Sequence, residues 1–153
     1  MSRLTRALAL LALAALLVGL LGAFVVAESD HIDYKALTIV IAVGIAAAWI
    51  GTGLYAWWRR PRNRVGALMT WTGFAWLANV FVAANSPAIF TLAVMMSNLY
   101  LAAFVHLLLA YPDGRLRCRR HTRLVQATYA LALAGPIPIL MSGLDAACAT
   151  CPT

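Results

Sequence analysis

Charged residues are scarce in this sequence, and acidic residues are the scarcest. Only 11% of the 153 residues are charged, with 12 Lys or Arg against 5 Asp or Glu, whereas 63% are hydrophobic. A soluble domain carries roughly 25% charged and about 45–50% apolar residues. The composition therefore excludes a soluble globular domain and predicts a membrane protein.

Further absences narrow the class of protein. The alternation of apolar and polar residues that marks barrel strands is missing. No acidic residue lies inside an apolar run, which argues against a proton- or cation-driven transporter. Haem would need a second histidine at the depth of His106. Zinc would need about two more ligands besides Cys148 and Cys151, and His31 could supply only one of them. The sequence thus predicts no cofactor and no metal.

What the sequence does contain is a series of apolar runs of about 20 residues, the length that crosses a bilayer. Backbone polar groups cannot remain unpaired in lipid, so these runs are predicted helices. We predict an all-α, polytopic transmembrane bundle in a single domain over residues 1–153, with an outer tail at 142–153. The predicted spans are Ala7 to Ala27, Ala36 to Trp58, Gly66 to Ala84, Ala88 to Tyr111 and Leu124 to Met141.

The few charges are sorted between the two ends of these spans. All 11 arginines fall before the first span, between the second and third, or between the fourth and fifth, whereas Lys35 and all acids except Asp113 fall at the opposite end. The positive-inside rule then predicts a cytoplasmic amino terminus and an outer carboxyl terminus in a bacterial cytoplasmic membrane. The first span also fits a signal peptide cleaved after Val25-Val26-Ala27, although its apolar run is longer than the usual one.

Two arginine-rich segments follow apolar runs that end in aromatic residues. Trp57 and Trp58 precede the first segment, and the turn sequence Tyr111-Pro112-Asp113-Gly114 precedes the second. Because the arginines lie beside apolar runs, we expect contact with anionic lipid headgroups and none with nucleic acid. These arginines are Arg59, Arg60, Arg62, Arg64, Arg115, Arg117, Arg119, Arg120 and Arg123.

The same two segments resemble the amino-terminal membrane region of bacterial two-component sensor histidine kinases. In that group an Arg-Arg-Pro-x-Asn-x-x-Gly segment opens one helix, and a Phe-Pro-x-Gly-Arg-Leu segment closes the next. The residues that match are Arg59, Arg60, Pro61, Asn63 and Gly66, then Pro112, Gly114, Arg115 and Leu116 with Tyr111 in the aromatic place, and the final Cys-Ala-Thr-Cys-Pro. The resemblance covers about two thirds of the chain and implies a signal-sensing membrane region.

The chain departs from that group in having no phospho-acceptor helix and no Asp-x-Gly-x-Gly nucleotide segment. The expected partners are therefore kinase domains in the same chain or a response regulator, if the protein is longer. A truncated or independent relative, or a non-catalytic accessory subunit, is the other interpretation. Small residues at four-residue spacing, Ala15-Gly19-Ala23 and Gly44-Ala48, permit close helix packing within the chain or in a homodimer.

Cys148 and Cys151 form a Cys-x-x-Cys pair on the predicted outer side, where a disulfide can persist. A structural disulfide or free thiols, a redox-sensing pair, and a small membrane thiol oxidoreductase are all compatible with this pair. Cys118 lies in the basic segment and is predicted to stay reduced.

Three polar residues inside the spans are candidates for sensing: His106, Asn98 and Asn79. Interhelical hydrogen bonding is the simpler interpretation of all three. A proton- or ligand-sensing role for His106 is the alternative, because imidazole titrates near neutral pH.

Overall fold

The computed structural model describes residues 3–141. Over this range the regular structure is entirely helical, which confirms the predicted all-α class. The α-helices are α1 (Arg3–Ala27), α2 (Lys35–Arg59), α3 (Val65–Leu77), α4 (Pro87–Met96), α5 (Leu99–Ala110), α6 (Arg119–Ala134) and α7 (Ile137–Met141), with a 3-10 helix over Ala78–Ala83.

Four helical segments are long and apolar enough to cross a membrane. They are Arg3–Ala27, Lys35–Arg59, Val65–Ala83 and Pro87–Ala110, and they coincide with the first four predicted spans. Many large apolar side chains of α1 remain 52–66% exposed, as lipid-facing residues do, including Leu10, Leu13, Leu17, Leu20 and Phe24. The chain is therefore a helical membrane protein.

The fifth predicted span, 124–141, has a different form from the other four. Its residues are divided between α6 and α7, with a turn at Gly135 and Pro136. Helix α6 begins among the arginines at Arg119 and has 16 residues, fewer than the ~20 that a span needs. Among residues 3–141 the segment does not qualify as a membrane-crossing helix, so the fifth span stays a prediction.

Two of the first four predicted spans are also not continuous α-helices. The third tightens into the 3-10 helix after Leu77, and the fourth is interrupted between α4 and α5. At that interruption the Ser97 hydroxyl donates to the Val94 carbonyl oxygen at 2.7 Å, which occupies an acceptor of the helix end. Pro87 begins α4, where its missing N–H leaves no hydrogen bond unmade.

Glycines set the closest helix packing, which is between α2 and α3. A Cβ atom added to Gly53 would lie 2.6 Å from the Thr70 backbone nitrogen, and one added to Gly66 would lie 2.5 Å from the Trp57 nitrogen. Only glycine allows backbones to approach this closely. The buried core lies beside this contact, where α1, α2, α3 and the 3-10 helix meet, and consists of Val26, Ala46, Leu77, Val80 and Ala83.

Candidate functional site

The two arginine-rich segments contact each other at one end of the bundle, although they are about 50 residues apart in the sequence. Asn63 Nδ2 donates to the Pro112 carbonyl oxygen at 3.0 Å, and Asn63 Oδ1 accepts from the Val65 N–H at 2.9 Å. The Arg64 N–H donates to the Asp113 carbonyl oxygen at 3.3 Å. We call this contact, made by residues 63–65 and 112–114, the latch.

Gly114 completes the latch by letting the two backbones touch. Its φ is 71°, in the left-handed region that favours glycine, and its N–H donates to the Ala110 carbonyl oxygen at 2.7 Å. A Cβ atom here would lie 2.5 Å from both the Arg64 carbonyl carbon and the Val65 nitrogen. The predicted turn at residues 111–114 is therefore present. Its glycine also allows the backbones of the two segments to contact each other directly.

All nine arginines predicted to face lipid headgroups are exposed at the latch end or in the first turns of α6. Asp113 forms an ion pair with Arg117, whose side chain is 76% exposed. An ion pair this exposed contributes about 0–1 kcal/mol to stability. This end of the molecule therefore carries a large excess of positive charge.

The opposite end is organised by Asn85, which lies in the short connection before α4. Its Nδ2 donates to the Glu28 carbonyl oxygen at 2.9 Å and to Asp30 Oδ2 at 2.8 Å, and its Oδ1 accepts from the Asp30 N–H at 3.1 Å. The connection between α1 and α2 is thereby held against the connection between the 3-10 helix and α4. The acidic loop and the uncharged loop thus lie together at the end away from the latch.

His31 extends this second cluster into the bundle. Its Nε2 lies 3.3 Å from the Val82 carbonyl oxygen, and its Nδ1 lies 3.4 Å from the hydroxyl of the fully buried Ser29. A neutral ring protonated on Nε2 satisfies both contacts, donating to Val82 and accepting from Ser29. The Val82 carbonyl lies at the end of the 3-10 helix, where carbonyl groups lack a partner within the helix.

A cavity of about 390 Å³ opens beside His31 at this end. It lies between α1, α2, the 3-10 helix and α4, and its walls are mostly apolar. Polar or aromatic side chains are contributed by His31, Thr38, Trp76, Asn79 and Phe90. A cavity of this size and lining suits a small, largely apolar molecule with a few hydrogen-bonding groups.

The structure does not bring the three predicted sensing residues together. Asn79 lines the cavity beside His31, Asn98 lines a separate cleft between α5 and α6, and His106 lines a third cavity near the latch. Asn79 donates to the Ala75 and Trp76 carbonyl oxygens of its own helical segment at 3.5 and 3.3 Å, which is not the interhelical bond that was expected. His106 makes an edge-to-face contact with Tyr129 at 6.0 Å between ring centroids.

Cys148 and Cys151 lie outside the described residues, so the predicted disulfide or redox pair stays a prediction. Cys118 is an exposed free cysteine. Among residues 3–141 no group of three or more His, Cys, Asp or Glu side chains is placed to hold a metal ion.

Two residues of these clusters were not predicted as a site from the sequence. By sequence pattern His31 is only a possible zinc ligand beside the cysteines, and nothing marks Asn85 as a site residue. The available signal was position, because both are polar residues in short connections between apolar helices. Comparisons with protein-family models, curated proteins and solved structures give no match.

Proposed function

We propose that the chain is a signal-receiving membrane region of the kind that precedes a histidine kinase. The observation that supports this most directly is the latch. The two segments that resemble the kinase group contact each other through the residues of the resemblance, namely Asn63, Pro112 and Gly114. The resemblance covers two segments that are distant in the sequence. This combination of motifs is explained if the two segments form one structural unit.

The latch joins the ends of helices through which a signal would pass. It connects the end of α2 and the start of α3 to the end of α5 and, five residues beyond Gly114, to the start of α6. A stimulus acting within the bilayer or at its outer face rearranges α1–α4, and the latch transmits this rearrangement to α6. The short outer connections leave no room for a soluble binding domain, so the helices themselves receive the stimulus.

The orientation in this proposal follows the charge distribution. The latch faces the cytoplasm of a bacterial cell, where anionic lipids and the positive-inside rule favour arginine. The cluster at Asn85 and His31 faces outward. Kinase domains in the same chain, or a partner that acts on a response regulator, receive the signal at the latch side, and a homodimer is the expected working unit.

The proposal is tested by tagging the gene at its own locus with an amino-terminal epitope. The product is expected at a mass well above the 16.5 kDa of these 153 residues, and to incorporate phosphate on histidine when incubated with ATP. A product near 16.5 kDa that purifies without any kinase would contradict the proposal.

The role of the latch is tested in the same tagged product reconstituted into vesicles. Asn63→Ala removes both side-chain hydrogen bonds of the latch, so we expect the rate of autophosphorylation to change severalfold. The control is Gln126→Ala, which changes an exposed residue of α6 and is expected to leave the rate unaltered. Equal rates for both variants and the unaltered protein would show that the latch transmits nothing.

A further inference from the structure

A cleft of about 350 Å³ lies where the two arginine-rich segments meet. It is lined by Arg62 and Asn63 from the first segment and by Asp113 and Arg115 from the second. The cleft exists because the latch holds the two segments together. Each segment contributes one arginine to it.

Two of these four side chains are already occupied by contacts within the protein. The Asn63 amide uses its nitrogen on Pro112 and its oxygen on Val65, and the Asp113 carboxylate is paired with Arg117. Within residues 3–141 the Asp113–Arg117 contact is the sole ion pair. Arg62 and Arg115 are therefore left with guanidinium groups that no described carboxylate neutralises.

The chemistry of the cleft indicates the class of ligand. Guanidinium is planar and presents a fixed fork of N–H donors that matches the oxygens of a phosphate group. Two such groups, one from each segment, suit a monoanionic phosphodiester, which offers oxygens to both. The Asp113 carboxylate also lines the cleft, and its ion pair with Arg117 offsets its repulsion of an anion.

The position of the cleft indicates the source of that phosphate. Trp57 and Trp58 lie in the last turn of α2, directly before the first segment, and Tyr111 directly follows α5, in the turn that precedes the second. Tryptophan and tyrosine at helix ends mark the level of the lipid headgroups. The phosphates of one leaflet therefore lie at the depth of the cleft.

We propose that this cleft binds the phosphodiester of an anionic phospholipid, held between Arg62 and Arg115. Diffuse attraction between a basic loop and an anionic membrane involves all arginines of the loop equally, whereas this site uses two of them, Arg62 and Arg115. A bound headgroup connects the two segments in addition to the hydrogen bonds of the latch. The inference is independent of the proposed signalling function, since it requires only a leaflet that contains anionic lipid.

The test uses the full chain, purified and delipidated in detergent, with phosphatidylglycerol and phosphatidylcholine as the probes. Lipid retained on the protein is measured by native mass spectrometry across a lipid titration. The Arg62→Gln, Arg115→Gln double variant is compared with the control Arg119→Gln, Arg120→Gln, which removes the same charge from the same end of the molecule outside the cleft.

The unaltered protein and the control are expected to retain phosphatidylglycerol in preference to phosphatidylcholine. The cleft variant is expected to bind phosphatidylglycerol at least about tenfold more weakly, because it loses the charge-assisted hydrogen bonds of both guanidinium groups. Single variants Arg62→Gln and Arg115→Gln, each expected to lose roughly threefold or more, replace the double variant if it does not elute as a folded protein.

Three results would overturn the proposal. Equal losses in the cleft variant and the control would show diffuse attraction to the whole basic end. Equal retention of the two lipids would show that the headgroup charge is not recognised. Displacement of phosphatidylglycerol by inorganic phosphate at equal concentration would show that the cleft binds free phosphate rather than lipid.

Discussion

Gly114 shows how much of this structure depends on single residues. Among residues 3–141 it has the one positive φ, and its missing side chain leaves room for the backbone of Arg64 and Val65. A turn with glycine at its fourth position was predictable from Tyr111-Pro112-Asp113-Gly114. The neighbour that excludes a side chain there was not, because it comes from a segment 50 residues earlier.

Gly114→Ala is expected to destabilise the protein by about 1–3 kcal/mol, because alanine is strained at positive φ and its Cβ meets backbone atoms. The measurement is the thermal unfolding of purified protein in detergent. The control is Gly44→Ala, where an added Cβ has no neighbour within 4 Å and no loss is expected. Equal stability of the two variants would contradict the close contact at the latch.

Asn85 has the corresponding role at the other end of the molecule. Asn85→Ala removes three hydrogen bonds to the Glu28 and Asp30 region, each of which contributes about 0.5–1.5 kcal/mol net of the competing hydrogen bonds to water. We expect the backbone amides of residues 28–33 to exchange hydrogen for deuterium at least severalfold faster. The neighbouring variant Ser86→Ala should leave exchange unchanged, and unchanged exchange in both variants would argue against this connection.

At the scale of elements, the contact between α2 and α3 determines how closely the bundle can pack. Gly53, Gly66 and Gly73 all face atoms within 2.5–2.6 Å of an added Cβ. The four-residue spacing of small residues predicts other packing faces, at Ala15-Gly19-Ala23 and Gly44-Ala48. Of these, a Cβ atom added to Gly19 would lie 3.8 Å from Val43 Cγ1 of α2, whereas one added to Gly44 would have no neighbour within 4 Å.

Gly53→Ala is therefore expected to cost about 1–3 kcal/mol, the usual effect of forcing an extra methyl group into a packed contact. Gly51→Ala is a matched control two residues away in the same helix, with no atom within 4 Å of the added Cβ. Its stability is expected to be unchanged or slightly higher, since alanine favours helix. Denaturant unfolding of both variants in the same detergent measures the difference, and equal losses would contradict the packing of α2 on α3.

The helical class and the first four spans could be predicted, whereas the interruptions within those spans could not. Apolar length defined the first four spans within a few residues, because lipid requires paired backbone groups over its whole thickness. The 3-10 helix over Ala78–Ala83 and the break at Ser97 and Asn98 leave hydropathy unchanged. The length of the apolar runs therefore does not predict either interruption. The turn at Gly135 and Pro136 has a visible cause in the sequence, because proline ends a helix.

At the scale of the whole molecule, the loops predicted to share a side do lie together. The arginine-rich segments meet at the latch, and the acidic connection meets Asn85 at the other end. The sorting of charge predicted which loops share an end. It could not predict that Asn63 reaches Pro112, or that Asn79, Asn98 and His106 line three separate cavities, because those facts depend on helix rotation.

The measurement that tests the account most directly is the accessibility of the two ends to a membrane-impermeant maleimide in intact cells. One variant replaces Cys148 and Cys151 with serine and leaves Cys118, which is exposed near the latch. The second replaces all three cysteines with serine and adds Asp33→Cys in the exposed acidic connection. The account predicts that Cys118 is labelled only after lysis and that the thiol at position 33 is labelled in intact cells. Labelling of Cys118 in intact cells, with protection at position 33, would contradict the cytoplasmic placement of the latch.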